Sequence, residues 1–238
     1  MTSSCVVLGV GPGTGGAVAR RFAKAGMAIA LGARRTESIA AVAREIAVTG
    51  GNALPVATDA TSESDVARLV DRAEREFGPI AVAVYNASGR AVKSILELTA
   101  AEVTEAWQRS CFGAFLFGRE VARRMVERGE GTIIFTGATA GARGGKNFAA
   151  FAIGKFGLRA LAQSMARELG PRGIHVAYAN IDGPILTPTP HAQALAKERA
   201  PDALLHPDAI AEAYFQLHRQ HRSAWTQELD LRPWAEKF

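Results

Sequence analysis

Hydrophobic and polar positions follow two alternating patterns along the chain. Short apolar runs rich in β-branched residues are each followed by a longer segment with apolar residues three and four positions apart; the runs are CVVLG, AIAL, ALPVA, IAVAVY, TIIFT and HVAYAN. The runs predict buried strands, and the longer segments predict amphipathic helices. Strands that alternate with helices form parallel sheets covered on both faces. We therefore expect a three-layer, doubly wound α/β fold of about seven parallel strands, with residues 1–238 forming a single domain.

A proline-rich segment interrupts this rhythm after Asp182. The sequence DGPILTPTPHAQALAKERAPDALLHP carries no strand pattern, and the earlier connections are much shorter. Long insertions in compact domains usually form lids or binding loops. We predict a lid or substrate loop at about residues 183–206, although its side chains do not indicate a particular substrate.

The composition excludes several classes of function. The formal charge of +5 comes from arginines scattered over several predicted helices, without the block of basic and aromatic residues that is typical of a nucleic-acid surface. Cys5 and Cys111 lack a metal-binding spacing and no two histidines form an HExxH pair, so we expect no metal. No apolar run reaches the roughly 20 residues of a membrane span, and the first residues do not resemble a signal peptide. We predict a cytoplasmic protein that binds neither nucleic acid nor membranes.

A glycine-rich turn joins the first predicted strand to the first helix. Gly9, Gly13 and Gly15 in GVGPGTGGAVAR have a GxxxGxG spacing. Glycines let the backbone approach a pyrophosphate closely, while the start of the helix offers amides and the positive end of the helix dipole. The turn therefore indicates a dinucleotide site of the Rossmann type, although a tight turn that binds nothing would have the same sequence.

The end of the second predicted strand bears on the choice between NADP and NAD. Dinucleotide sites have an acidic residue here when they bind a free ribose hydroxyl, and a basic residue when they bind a 2′-phosphate. The sequence reads LGARR, so Arg34, together with Arg35, is positioned to pair with a phosphate. We predict NADP in preference to NAD. Two solvated arginines at the start of a helix are the alternative.

Several motifs, in this order along the chain, resemble the short-chain dehydrogenase/reductase family from about residue 5 to about residue 190. They are the glycine turn, the aspartate of VATDAT, the YNASG that ends the fourth strand, a lysine in the helix after the fifth strand, and DGPILT after the sixth. The resemblance implies a Rossmann fold with a seven-stranded parallel sheet. It also implies an oxidoreductase that uses a nicotinamide dinucleotide and acts on a small molecule.

The resemblance assigns roles to residues of the predicted cofactor site. It implies that Asp59 touches the adenine, that Asn86 steadies the central sheet, and that Lys155 binds the hydroxyls of the nicotinamide ribose. Ile185 and Thr187 are expected to meet the nicotinamide amide. An ammonium within an apolar helix needs a partner, because an unpaired buried charge is costly or loses its proton. A Lys155 side chain that reaches solvent is the alternative.

Three of the four catalytic positions of the family carry other residues here. Phe151 replaces the tyrosine four residues before the lysine, Ala138 replaces the serine, and Ser110 replaces the helix asparagine. Only Lys155 is retained. General acid catalysis contributes on the order of 10²–10⁴-fold to a rate, and one oxyanion donor contributes roughly 10²–10³-fold. The resemblance therefore implies an incomplete catalytic tetrad, with which the family's usual carbonyl reduction is not expected.

Two other residues are candidates for the missing proton donor. Asp182 replaces a proline of the family's pattern near the expected nicotinamide edge, where a carboxyl group could pair with Lys155 or hold a proton. An Asx turn that starts the loop is the alternative role of Asp182. Thr139 offers a hydroxyl beside Ala138, but its place at a strand end leaves the direction of that hydroxyl open.

The helix after the fourth strand carries more aromatic residues than one buried stripe can hold. Phe112, Phe115 and Phe117 lie close together in the sequence, so we expect part of this surface to contact a second subunit. The family resemblance implies homodimers or homotetramers assembled through the helices at about residues 99–127 and 148–169. Burial of these aromatic residues within their own domain is the alternative.

Two functions remain open at this level. One is an NADP(H)-dependent oxidoreductase with an unusual proton donor, or with a substrate that needs little acid help, such as an activated alkene or an imine. The other is a non-catalytic NADP(H)-binding module, either a cofactor-responsive partner or the silent subunit of an assembly. The retained glycine turn, Asp59, Asn86 and Lys155 argue against a scaffold that binds no nucleotide.

Overall fold

The computed structural model describes residues 3–236, which fold around one seven-stranded sheet. Each neighbouring pair of strands is parallel, and the order is β3-β2-β1-β4-β5-β6-β7. The strands are β1 (Ser4–Leu8), β2 (Ala28–Ala33), β3 (Ala53–Ala57), β4 (Ile80–Tyr85), β5 (Gly131–Thr136), β6 (Ile174–Ile181) and β7 (Glu228–Leu231). The predicted doubly wound α/β fold with seven parallel strands is confirmed.

The α-helices connect these strands and cover both faces of the sheet. They are α1 (Thr14–Lys24), α2 (Thr36–Val48), α3 (Glu63–Phe77), α4 (Ala100–Trp107), α5 (Gly113–Arg128), α6 (Ala149–Leu169), α7 (Pro190–Glu198) and α8 (Pro207–His218). Within residues 3–236, no helix is both long enough and apolar enough to cross a membrane.

The core consists of two apolar layers, one on each face of the sheet. Alternate residues of a strand point to opposite faces, so Val6 and Leu8 of β1 enter one layer and Cys5 and Val7 enter the other. Helices α3, α5 and α6 cover the first layer with buried residues that include Leu69, Phe117 and Leu158. Helices α1, α2 and α8 cover the second with residues that include Phe22, Val42 and Tyr214. Burial on both faces explains why the strands are continuous apolar runs in the sequence.

The strand order reverses at β1, which has β2 on one side and β4 on the other. In doubly wound folds, ligands bind in the crevice at the carboxyl ends of the strands where the order reverses. The glycine turn after β1 and the segment after β4 both lie at this edge. The fold therefore places the predicted cofactor residues around one crevice.

The long helix predicted after β4 begins and ends close to the expected positions but is not uniform. Thr99 and Glu102 form a capping box at its start, in which each side chain accepts a hydrogen bond from the backbone amide of the other residue. Residues Gln108–Phe112 form a π-helical turn between α4 and α5. The apolar pattern did not predict this turn. Such turns occur frequently at functional sites, and this one carries Ser110.

The predicted lid segment contains a helix that the sequence pattern did not predict. Helix α7 begins after Thr189, whose hydroxyl accepts from the amide of Ala192 over 3.3 Å. Before this helix, Ile185 pairs with Leu205, and the amide of Leu186 donates to the carbonyl oxygen of Leu205 over 2.8 Å. These contacts join the two ends of the segment at residues 183–206, which therefore forms a closed loop. Its function as a lid stays a prediction.

Candidate cofactor and active site

The turn after β1 has a backbone that only glycine fits. Gly9 adopts a φ of 101°, and a Cβ atom there would lie 2.3 Å from the backbone nitrogen of Ala87. A Cβ atom on Gly15 would lie 2.5 Å from the carbonyl oxygen of Gly9. The side-chain amide of Asn86 donates to that same oxygen over 2.9 Å. Gly9, Gly15 and Asn86 therefore meet at one point between β1 and β4.

The remainder of the turn borders an open cleft. Among the described residues, none lies within 4 Å of a Cβ atom built on Gly11, and Gly13 meets only the side chain of Thr187, at 3.0 Å. Helix α1 begins at Thr14 without a side-chain cap and has no acidic residue in its first turn. Its uncapped amides and its dipole favour a phosphate group at this position. The turn thus fits the pyrophosphate of a dinucleotide, with Thr187 across the cleft from it.

Charged residues follow β2 and β3 at the same edge of the sheet. Arg34 and Arg35 follow β2, and both side chains are exposed. The carboxylate of Asp59, after β3, accepts hydrogen bonds from the amide and the hydroxyl of Thr61 over 2.9 and 2.8 Å. The bond from the Thr61 amide lowers the pKa of Asp59, and the charges of Arg34 and Arg109 lower this pKa further. Arg34 therefore lies within electrostatic reach of the aspartate predicted to touch the adenine.

Lys155 lies inside α6 and does not reach solvent. Its side chain is 3% exposed, and its Nζ donates to the carbonyl oxygen of Thr136, at the end of β5, over 2.7 Å. The alternative in which this amine extends into solvent is wrong. Burial lowers the pKa of Lys155 to about 7. An ammonium carries three donors, and within residues 3–236 only one of them has an acceptor.

Two cations flank the ring of Phe151. Phe151 lies one helical turn before Lys155, and the Nζ of Lys155 is 5.8 Å from the centre of the ring. The guanidinium carbon of Arg90 is 5.9 Å from the same centre and 5.1 Å from the centre of the Phe148 ring. Arg90 and Phe148 were not predicted as site residues. A contact between a cation and aromatic rings of separate segments leaves no pattern in the sequence.

Asp182 is the centre of a buried polar cluster. Its side chain is 1% exposed, and its Oδ1 accepts from the hydroxyl of Thr139 over 2.7 Å. The guanidinium groups of Arg143 and Arg232 lie 3.4 and 3.3 Å from its oxygens, whereas no ion pair joins it to Lys155 in the described part of the chain. Three donors that converge on one carboxylate favour a structural role over proton donation. The proton-donor roles of Asp182 and Thr139 stay predictions.

Ala138 and Ser110 occupy the other two positions of the catalytic tetrad that the family resemblance implies. Ala138 follows β5 and directly precedes the short 3₁₀ turn Thr139–Gly141. Ser110 is fully buried, and its Oγ accepts from the backbone amide of Gly89 over 3.1 Å. Ser110 therefore holds the segment that follows β4 against the π-helical turn.

All three tyrosines of the chain lie in the core. Tyr85, Tyr178 and Tyr214 are 0%, 1% and 0% exposed. The hydroxyl of Tyr85 donates to the carbonyl oxygen of Arg109 over 2.6 Å, and that of Tyr214 donates to Oγ1 of Thr136 over 3.0 Å. No tyrosine of the chain presents an exposed hydroxyl to the cleft.

Comparisons with known proteins give one consistent result. The sequence model described as short chain dehydrogenase matches residues 4–200. Cis-4-hydroxycyclohexanecarboxylate dehydrogenase of Sinomonas cyclohexanicum is 35% identical over 218 residues, which cover 87% of this chain and 86% of the relative. A short-chain dehydrogenase from Rhodopseudomonas palustris has a solved structure that is 38% identical, with a TM-score of 0.83 and coverage of 98% of this chain and 99% of that chain. A metagenomic short-chain oxidoreductase solved in complex with NADP is 25% identical, with a TM-score of 0.83 and coverage of 98% of both chains.

Proposed function

The chain belongs to the short-chain dehydrogenase/reductase family, and we propose that it is an oxidoreductase that binds NADP(H) in the crevice between β1 and β4. The observation that carries this proposal is the buried ammonium of Lys155, which has one acceptor for its three donors. Burial of a charge that lacks partners is costly. Hydroxyl groups of a bound ribose would supply the missing acceptors.

Residues at several strand ends would hold the cofactor. The amides at the start of α1 would bind the pyrophosphate, Asp59 would contact the adenine, and Lys155 would bind the nicotinamide ribose. Ile185 and Thr187, at the base of the lid segment, would contact the nicotinamide amide. When bound, a nicotinamide cofactor donates or accepts a hydride.

The preference for NADP over NAD rests on charge. Arg34 and Arg35 are exposed at the end of β2, where a 2′-phosphate would lie, and neither has an ion-pair partner within 4 Å among residues 3–236. The related oxidoreductase solved with NADP supports a nicotinamide dinucleotide in general. Only the arginines favour the phosphorylated form.

The proposal includes an incomplete catalytic tetrad. Phe151 and Ala138 have no proton to donate, and the hydroxyl of Ser110 is bound to the backbone of Gly89. Lys155, beside the ring of Phe151, has a pKa of about 7 and can hold or release a proton near neutral pH. Lys155 is therefore the group to which we assign proton transfer, in preference to Asp182 with its three donors.

The substrate is proposed to be a small molecule that needs little acid help. An activated alkene or an imine builds less negative charge on oxygen during hydride transfer than a ketone does, so the absent tyrosine would matter less. The relative that acts on cis-4-hydroxycyclohexanecarboxylate supports a substrate of this size with a cyclic carbon skeleton.

A non-catalytic NADP(H)-binding module is the second candidate. The observation that favours it is the pair Phe151 and Ala138, which lacks two groups expected to act on the substrate, whereas the residues proposed to hold the phosphates and the adenine are retained. Such a module would respond to the cofactor or serve as the silent subunit of an assembly.

Self-association is also proposed. Trp107, Phe115, Ile153 and Phe156 are 39%, 39%, 49% and 43% exposed on α4, α5 and α6, the helices through which the family forms dimers or tetramers. An apolar surface of this kind is typical of an interface. We propose a homodimer or a homotetramer, and the cytoplasmic location stays a prediction.

A two-step experiment separates the oxidoreductase from the module. The first step is a fluorescence titration of the protein with NADPH and with NADH. The second is a turnover screen over ketones, enones and imines with the cofactor that binds more tightly. Saturable binding followed by cofactor oxidation with a member of the panel supports the oxidoreductase. Binding without oxidation across the panel supports the module, and the absence of binding contradicts both.

A further inference from the structure

A guanidinium lies over two aromatic rings at the candidate active site. The Cζ of Arg90 is 5.1 Å from the centre of the Phe148 ring and 5.9 Å from the centre of the Phe151 ring. Lys155 approaches the Phe151 ring from within the protein, whereas Arg90 is exposed. Because a cation is attracted to the face of an aromatic ring, these contacts hold the guanidinium beside Phe148 and Phe151. We call this position the mouth of the site.

The backbone around Arg90 is fixed on both sides. The amide of Gly89 donates to Oγ of Ser110 over 3.1 Å, and the amide of Lys93 donates to the carbonyl oxygen of Asn147 over 3.0 Å. Asn147 adopts a φ of 68°, a left-handed conformation that asparagine tolerates, and it directs the chain into Phe148 and α6. The segment that carries Arg90 is therefore tied to the segment that carries the first of its two rings.

The positive charge of Arg90 is not balanced by a neighbouring acid. Lys93 pairs with Glu102, and Arg143 pairs with Asp182. In contrast, no residue of the described chain accepts a hydrogen bond from the Arg90 guanidinium or pairs with it. A guanidinium carries five donors in a rigid fork. The mouth of the site thus holds a positioned cation whose donors have no acceptor among residues 3–236.

From these contacts we propose that Arg90 binds a carboxylate of the substrate, so that the site takes small organic acids whose reacting carbon lies near Phe151 and Lys155. The inference rests on the proposed function and names the substrate class of the same site. The fork of a guanidinium matches the two oxygens of a carboxylate, and the ring contacts preorganise it. The rings of Phe148 and Phe151 offer apolar surface to the carbon skeleton.

The phosphates of the cofactor do not account for this cation. The proposed pyrophosphate site lies at the start of α1, and the proposed 2′-phosphate site lies at Arg34, after β2. Arg90 instead follows β4 and faces α6. We therefore assign to Arg90 the binding of the substrate and not of the cofactor.

Calorimetry with matched ligands tests this assignment. The ligands are 4-oxocyclohexanecarboxylate and its neutral amide, 4-oxocyclohexanecarboxamide, which have nearly the same shape. The NADPH-saturated protein is expected to bind the acid about tenfold more tightly than the amide, because a charge-assisted hydrogen bond is lost with the amide. Arg90→Gln is expected to reduce this ratio to about one. Arg90→Lys is expected to retain part of it, since the charge remains but the fork does not.

The control is Arg75→Gln, which removes an exposed arginine from the last turn of α3, at the opposite edge of the sheet. This variant is expected to keep the preference of the wild type for the acid. Equal binding of acid and amide by the wild type overturns the proposal. So does a preference that persists in Arg90→Gln, or the absence of acid binding at millimolar concentration.

Two further measurements on the same proteins distinguish a failure of this inference from a failure of the proposed function. NADPH titration of each protein measures the cofactor site directly, and acid binding is also measured without NADPH. A protein that binds the acid through Arg90 but does not bind NADPH contradicts the proposed function and leaves the carboxylate site in place. A protein that binds NADPH without preferring the acid contradicts only the carboxylate site.

Discussion

The Nζ of Lys155 lies 5.8 Å from the centre of the Phe151 ring, one turn away in the same helix, and donates to the carbonyl oxygen of Thr136 over 2.7 Å. A tyrosine in place of Phe151 would have a hydroxyl to share with this ammonium. The benzene ring instead leaves two donors of Lys155 without an acceptor among the described residues. The site therefore has a buried amine with two donors left for a ligand, beside an apolar ring at the position where the resemblance to the family places an acid.

Restoring the family's groups is expected to create a ketone reductase. Phe151→Tyr combined with Ala138→Ser supplies a general acid and a hydroxyl donor, which together are expected to raise NADPH-dependent ketone reduction by at least about 10²-fold. Turnover of a ketone panel by wild type and variant measures this change. Phe156→Tyr, which alters an exposed aromatic residue of the same helix, is the control and is expected to leave the rate unchanged.

A double variant that binds NADPH but stays inert on every ketone would contradict the view that the rest of the site is intact. In that case Ser110, at the fourth position of the tetrad, becomes the next residue to restore.

The buried amine of Lys155 is expected to make the stability of the cofactor-free protein depend on pH. The pKa of Lys155 is lowered to about 7 by burial, from the value of about 10.5 that applies to the unfolded chain. Between these two values the unfolded chain binds a proton that the folded chain does not, so this contribution to the free energy of unfolding rises with pH. Below about pH 7 both states are protonated, and the contribution no longer changes.

Urea unfolding of wild type and of Lys155→Met at about pH 7 and about pH 9 measures this effect. The wild type is expected to gain up to about 2 kcal/mol relative to the variant over this interval. Lys146→Met, which removes an exposed lysine, is expected to follow the wild type. Parallel pH dependence of wild type and Lys155→Met would contradict the assignment of a lowered pKa to this amine.

Asp182 is expected to act mainly on stability. Asp182→Asn removes the buried charge that accepts from Thr139 and pairs with Arg143 and Arg232, and since these arginines are 48% and 20% exposed, the loss is expected to be about 1–3 kcal/mol. Urea unfolding measures the change, with Asp208→Asn, at an 88% exposed aspartate, as the control. Unchanged stability together with lost turnover would instead identify Asp182 as the proton donor.

The exposed aromatic surface of α5 and α6 is expected to hold subunits together. Light scattering is expected to give the wild type the mass of a dimer or a tetramer. Phe115→Glu combined with Phe156→Glu places charges on this surface and is expected to yield monomers. Val48→Glu, at an 88% exposed position on α2, is expected to keep the mass of the wild type. A monomeric wild type would contradict the proposed assembly.

Local sequence patterns predict most of the fold. The buried strands can be predicted because a parallel sheet covered on both faces requires continuous apolar runs. The turn at Gly9 can also be predicted, because its structure requires a glycine. The backbone of the segment after β4 lies where a Cβ atom of this residue would be. Helix α7 was missed although Thr189 and Pro190 form a usual helix start, because the surrounding prolines indicated a loop.

Long-range contacts at the site could not be predicted in this way. Arg232 pairs with Asp182 only because β7 lies beside β6, and nothing near either residue in the sequence indicates the other. The contact of Arg90 with Phe148 and Phe151 likewise depends on how the segment after β4 meets the start of α6. The sequence could identify candidate residues at strand ends, but not the partners that determine their chemistry.

The most direct measurement of the central claim is a calorimetric titration of the wild type with NADPH and with NADH, repeated on Arg34→Ser. The account predicts one NADPH site per chain, with tighter binding of NADPH than of NADH. Loss of the Arg34 guanidinium is expected to weaken NADPH binding by about tenfold to about a hundredfold, with little effect on NADH, because a charge-assisted contact to the 2′-phosphate is removed. The absence of saturable NADPH binding by the wild type would contradict the account.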